Sequence, residues 1–338
     1  MGDSPAQPKL AEAADLYRVP VWVGEKLLYT FAPIRLLLRL ASLRGTIDSF
    51  ASPLRTDAAS ALERHLGEAM PASERARLVR RHLQYRRRAR FARLWPQIRG
   101  FAGADDVEVE GLRHLDDALA QGRGAILVSA HFGYARLIKP ILHSRGRRVL
   151  LTGNLRPGMP DFSAELFGLS PLTRFGSVVH TRLLRLPRWS RLDPRFQETT
   201  AVDLPVQLDI RPYVAALERN EVLVILADGR RAQALRRIPI LGVEVALAPG
   251  AVSVARATGA PALPVFVVDD DRSKRGVGLR LVIHPPLELQ RSEDPVDDAH
   301  VNLRRFAAVL EEYVRACPQD WHWHAVRDGS LDPRLVER

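Results

Sequence analysis

The residue best placed for chemistry is His131. A buried apolar run at 125–129 leads directly into Ala130, His131, Phe132 and Gly133, and a helical pattern opens near Tyr134. Open α/β sheets gather their reactive groups just past the carboxyl ends of strands, which is where this imidazole falls. Gly133 would let backbone amides at the helix start approach a ligand, and such amides favour anions and oxyanions. A lone histidine after a strand also serves as a structural residue, and spacing alone leaves both roles open. Asp228 has the same setting after a second buried run, 222–226, although Asp-Gly is also a common turn pair. Arg230, Arg231, Arg236 and Arg237 follow it and could contact phosphates, or simply form a solvated loop. Metal chemistry is not indicated. The single cysteine, Cys317, excludes an intramolecular disulfide and a thiolate cluster, and His322 and His324 at i,i+2 share no helix face.

The elements that must carry these groups alternate. Short runs rich in β-branched residues and leucine at 125–129, 149–152, 222–226, 262–268 and 279–283 read as strands. Helical patterns at 112–120, 134–144, 211–220, 249–258 and 296–316 lie between or after them. This rhythm predicts an α/β domain with a mixed, largely parallel sheet flanked by helices. The Arg-, Pro- and Leu-rich residues 170–205 interrupt it and read as an insertion or long connection. The α/β domain is expected over 105–327, after a flexible tail at 1–20 and a helical region at 21–104 and before a tail at 328–338.

That helical region has two parts. From Trp22 to Leu43 the chain is strongly apolar with basic flanks, the composition of a helix lying in a membrane interface. Glu25, Lys26, Pro33, Arg35 and Arg39 interrupt it too often for a membrane span. A helix beginning near Ser73 carries Val79, Leu83, Phe91, Leu94 and Trp95 roughly on one face, with Arg80, Arg87 and Arg90 intruding. It reads as solvated or facing anionic lipid, and nothing accompanies it that would suit nucleic acid. The formal net charge of +11 suits an anionic membrane surface, phosphorylated substrates or an acidic partner protein.

Three blocks carry a resemblance. The segment VEVEGLRHLDDALAQGRGAILVSAHFG looks like the lead and histidine motif of the bacterial lipid A biosynthesis acyltransferases, the lauroyl and myristoyl transferases. LADGRRAQALRRIPILGVEVALAPGAVSVARATGAPALPVFVV is similar to that family's Asp-centred loop and following strand, and CPQDWHWHAVR to its C-terminal ending. They stand in the family's order across roughly 105–327. The resemblance implies a glycerolipid acyltransferase-like fold and transfer of a fatty acyl group from acyl carrier protein or coenzyme A to a hydroxyl of a lipid A-like or other lipid acceptor. It also implies His131 as general base and the cytoplasmic face of the bacterial inner membrane, with no cofactor beyond the thioester co-substrate. Gly133, Tyr134, Arg136, Arg230 and Arg231 would then line the substrate site, and Trp321 and Trp323 would anchor the C-terminal block.

One position departs from the pattern. The family's acid comes five residues after the histidine, where this chain has Arg136. Arginine cannot accept a hydrogen bond, and a cation near the imidazole lowers its basicity. Asp228 supplying the carboxylate, Arg136 holding an anionic group of the substrate, and a catalytically silent lipid- or acyl-binding protein are the three readings left open.

Overall fold

The computed structural model describes residues 32–51, 71–99, 107–153, 204–205, 209–228, 234–269 and 278–321, together with Pro20, Gly24, Arg55, Thr56, Ala58, Ala59, Ser60 and Leu62. Its strands are β1 (Glu108–Glu110), β2 (Ala125–Ser129), β3 (Val149–Gly153), β4 (Leu204–Pro205), β5 (Val222–Leu226), β6 (Arg236–Ile240), β7 (Val243–Leu247), β8 (Ala262–Asp269) and β9 (Leu279–Ile283). Seven of them form one sheet in the order β1-β9-β8-β2-β5-β3-β4. Every neighbouring pair is parallel except β8 and β9, so the sheet is mixed and largely parallel as its alternating pattern predicts. β2 and β5 are apolar because both their faces are covered; all five residues of β2 are buried.

The helices are α1 (Ile34–Ala51), α2 (Ala72–Arg99), α3 (Leu112–Leu119), α4 (Ile138–Ser144), α5 (Arg211–Glu218), α6 (Gly250–Thr258) and α7 (Pro295–Ala316). Alternation along β2 sends Ile126 and Val128 into a core shared with α5, α6 and α7. Ala125 and Leu127 enter a second core shared with α3 and α4. Burying each of Ile126, Leu127 and Val128 contributes about 1.5–3 kcal/mol, so the two cores hold β2 from both sides. α2 touches both: Leu78, Val79 and Leu83 join the first core, and Phe91 and Ala92 the second.

Two elements differ from the sequence-based expectation. The helix expected over 134–144 begins later, as a 3-10 turn at Ala135–Leu137 followed by α4. Gly133 has φ 54° and Tyr134 ψ 47°, so the chain turns out of β2 before it can enter a helix. Pro140 then falls in the first turn of α4, where its missing N–H costs nothing. The second difference is that 236–247, read as part of a loop and a single short strand, folds as the antiparallel hairpin β6–β7, apart from the main sheet. Its two-residue turn places Leu241 at φ 52° and Gly242 at φ 78°, and the Leu241 N–H donates to Glu311 Oε2 at 3.0 Å. Leucine rarely tolerates that conformation, which is why the sequence carried no hairpin signal there.

α1 presents an unusual outer face. Leu36, Leu40, Leu43, Ile47 and Phe50 are all exposed, and their alternating spacing of four and three residues puts them on one stripe. The inner face packs on α2 so closely that a Cβ on Gly45 would approach the Gln84 backbone to 2.5 Å. Among the described residues no helix is long and apolar enough to cross a membrane. Residues 25–31 of the expected interfacial helix and most of the expected insertion at 170–205 lie outside the described residues.

Candidate active site

The register of two strands builds the site. β2 and β5 run parallel with Ser129 opposite Leu226, and the Ala227 N–H continues the ladder to the Ser129 carbonyl at 2.8 Å. Two residues beyond this pair stand His131 and Asp228, on neighbouring loops at the carboxyl ends of central strands. The His131 ring Nδ1 lies 2.8 Å from Asp228 Oδ1, and the His131 backbone N–H donates to both carboxylate oxygens at 2.8 and 2.9 Å. Asp228 is 2% exposed at its side chain and His131 31%. Burial pushes the Asp228 carboxyl up, but the charge of His131 and the N–H donors of His131 and Trp321 outweigh it and hold the group below the usual carboxylate value.

An ionised carboxylate only accepts, so Nδ1 must carry the hydrogen between the two groups. The neutral ring then presents the lone pair of Nε2. This is the arrangement in which a carboxylate fixes the tautomer of a general base and stabilises the imidazolium when the base takes a proton. Among the described residues no group of three or more His, Cys, Asp or Glu could hold a metal ion.

A third segment closes the site. Trp321 forms an antiparallel bridge with Phe132, and the Gly133 N–H donates to the Asp320 carbonyl at 2.9 Å. The Trp321 indole N–H reaches Asp228 Oδ2 at 3.4 Å. α2 supports all of this from one polar face, with residues three apart reaching different pieces. His82 Nδ1 lies 2.8 Å from the Gln319 carbonyl, the Tyr85 hydroxyl donates to the Gly133 carbonyl at 2.8 Å, and Arg88 pairs with Asp269 at 2.7 Å. Asp269 ends β8, the other neighbour of β2, and it accepts the Tyr134 hydroxyl at 2.8 Å.

These contacts correct several sequence-based expectations. The amides of Gly133 and Tyr134 are not turned to a ligand: they donate to the carbonyls of Asp320 and Val267. Gly133 is required because a Cβ there would run into the Val267 carbonyl. Tyr134 is buried, and its hydroxyl donates to Asp269, which ties the loop to the end of β8. Burial drives its phenol well above the ordinary range, reinforced by the charge of Asp269 and opposed by Arg88. The Arg-rich helix is not a wholly solvated or lipid-facing element, since His82, Tyr85 and Arg88 point into the site's supports. Arg236 is a buried residue of β6 and Arg237 an exposed one, so they do not share a solvated loop.

Arg136 follows on the 3-10 turn. Its surroundings are close enough for burial to lower its pKa, while its side chain still reaches solvent, and among the described residues it has no ion-pair partner. Arg230, Arg231, His322, Trp323 and His324 lie outside the described residues.

The model of the bacterial lipid A biosynthesis acyltransferases matches residues 15–155 and 194–327. The chain belongs to that family. The match includes α1 and α2, well before the residues where the three motif blocks begin. A relative, the lipid A biosynthesis lauroyltransferase of Escherichia coli (strain K12), is 28% identical over 237 residues. Those residues are 69% of this chain and 64% of the relative, so the chain matches a little under two thirds of that protein's length. In this member of the family Arg136 stands where the acid is expected, and the carboxylate on the histidine ring comes from the loop that follows the neighbouring strand β5. His82, Tyr85, Arg88 and Asp269 escaped the sequence reading because each belongs to an element read for hydrophobicity or net charge. The one available signal was the spacing of His82, Tyr85 and Arg88 on a single helix face.

Proposed function

We propose that this protein transfers a fatty acyl group from an acyl thioester, on acyl carrier protein or coenzyme A, to a hydroxyl of a lipid A-like or other lipid acceptor. His131 Nε2 takes the acceptor's proton as its oxygen attacks the thioester carbonyl carbon. The tetrahedral intermediate collapses by breaking the carbon–sulfur bond, and the imidazolium returns the proton to the departing thiolate. Asp228 holds the ring and stabilises its charged form. The observation that carries this reading is the 2.8 Å contact between His131 Nδ1 and Asp228 Oδ1. It favours transfer over the catalytically silent alternative, whose motive was the loss of the acid at position 136. Arg136, which reaches solvent and has no ion-pair partner among the described residues, then serves as a clamp for an anionic group of donor or acceptor, and Arg230 and Arg231 are further candidates for that work.

The site of action is the cytoplasmic face of the bacterial inner membrane, which the protein meets without spanning it. The exposed apolar stripe of α1 supports this, with Arg35, Arg39 and Arg44 on the same helix and a net charge of +11 drawing it to anionic headgroups. The decisive experiment is transfer of a labelled acyl chain from acyl carrier protein and from coenzyme A to a lipid A precursor by wild type and His131→Ala. Wild type transfers and the variant does not. Equal transfer by both removes the mechanism, and binding of donor without turnover by wild type establishes the silent reading instead.

A further inference from the structure

Resting on the histidine–aspartate reading above, we propose that Trp321 is a positioning residue of the reaction, whose indole N–H holds Asp228 and sets how strongly it supports His131. The two carboxylate oxygens have divided tasks. Oδ1 takes the ring Nδ1, and Oδ2 takes the indole, while the His131 backbone N–H is shared between them. Turning the carboxylate about its Cβ–Cγ bond would exchange the oxygens, and the indole on Oδ2 opposes that turn.

Trp321 is too well held to be filler. It is 1% exposed, and a buried indole N–H needs an acceptor. The backbone that carries it is fixed on both sides, by the bridge to Phe132 and the Gly133 N–H to Asp320 on one and by the His82 ring at the Gln319 carbonyl on the other. Asp320 is itself buried, and the segment touches both loops, the His131 loop through Phe132 and Gly133 and Asp228 through the indole. A space-filling tryptophan would leave its N–H pointing anywhere a polar atom lay; this one is aimed at the carboxylate that orients the base.

The chemistry has a sign. A donor on Oδ2 draws negative charge away from Oδ1, so Asp228 stabilises the imidazolium less than it would alone. Removing the donor raises the proton affinity of His131 and moves the acid limb of the kcat/KM profile to higher pH. A role confined to packing would lower the rate and leave the limb where it is.

The test compares pH–rate profiles of wild type, Trp321→Phe and a protein carrying benzothienylalanine at 321, an isostere with sulfur in place of the N–H. Both substitutions are expected to move the acid limb up by about half a pH unit, the size of one weak hydrogen bond. They also lower kcat about tenfold with the donor KM unchanged. The isostere keeps the ring volume, so it answers the question even if the phenylalanine variant does not fold. An acid limb unmoved in the isostere overturns the proposal and leaves the histidine mechanism intact. Activity in His131→Ala equal to wild type overturns both.

Discussion

Asp228 accepts the ring N–H of His131 and, on both of its oxygens, the backbone N–H of the same residue, across 97 positions of sequence. The backbone contact fixes where the carboxylate sits; the ring contact fixes which ring nitrogen carries the hydrogen. Losing the charge while keeping the shape therefore separates the two effects.

Asp228→Asn is expected to lower kcat on the order of a thousandfold, because an amide can hold the wrong tautomer and cannot stabilise the imidazolium. What activity remains will have its acid limb at lower pH than wild type, the opposite of the tryptophan variants. Stability follows the same group. The carboxyl lies below its ordinary value of 3.8 in the folded protein, so its contribution is complete above that pH and is lost as acid takes it through the lower folded value. Denaturant melts below about pH 4 should therefore show wild type losing stability more steeply than the asparagine variant.

Arg136→Glu restores the family's acid at a position the ring no longer needs. Asp228 already occupies Nδ1, so kcat should stay within about threefold of wild type. The KM for donor or acceptor should rise if the guanidinium holds an anion there. A large gain in kcat would show instead that the ring turns to the new carboxylate and that Asp228 is not its working partner.

Gly133→Ala should destabilise the protein on the order of 3 kcal/mol, through the left-handed backbone and the collision with the Val267 carbonyl. Urea titration measures this directly. Tyr85→Phe is the milder probe of the same loop. It deletes only the hydroxyl on the Gly133 carbonyl, costs about 1 kcal/mol, and leaves that carbonyl short of a donor.

Leu43→Glu with Phe50→Glu tests the outer face of α1. Phe50 is 71% exposed and Leu43 57%, so the fold should tolerate both changes. Binding to vesicles containing anionic phospholipid, measured by co-sedimentation, should fall at least tenfold, since each side chain contributes on the order of 1.5 kcal/mol when buried in the interface. Unchanged binding would overturn the reading of this stripe as a membrane-contacting surface.

Much of this site was legible from residue order. β2 and β5 are mostly buried and largely apolar runs that end two positions before His131 and Asp228, and runs of that kind in an alternating chain become strands of a parallel sheet. That they would be direct neighbours with Ser129 opposite Leu226 was not legible, because strand order is set by packing far along the chain. Tyr85 and Arg88 were hidden for a different reason. In a helix so rich in arginine, the residues that bond inward have the same letters as those that face water. The β6–β7 hairpin was hidden by its turn, where Leu241 holds a conformation that asparagine or glycine would have advertised. Glu311 supplies from α7 the hydrogen bond that compensates, a contact 70 positions away.

The strap that carries Trp321 also sets a timetable. Ribosomes add about 5–20 residues each second, so tens of seconds of translation separate the emergence of His131 from that of the residue that closes over its partner. During that interval β2 can pair with neither β5 nor β8 until each has been made, and the Phe132 bridge has nothing to meet. Whatever the nascent chain touches meanwhile, it meets with the histidine loop unassembled.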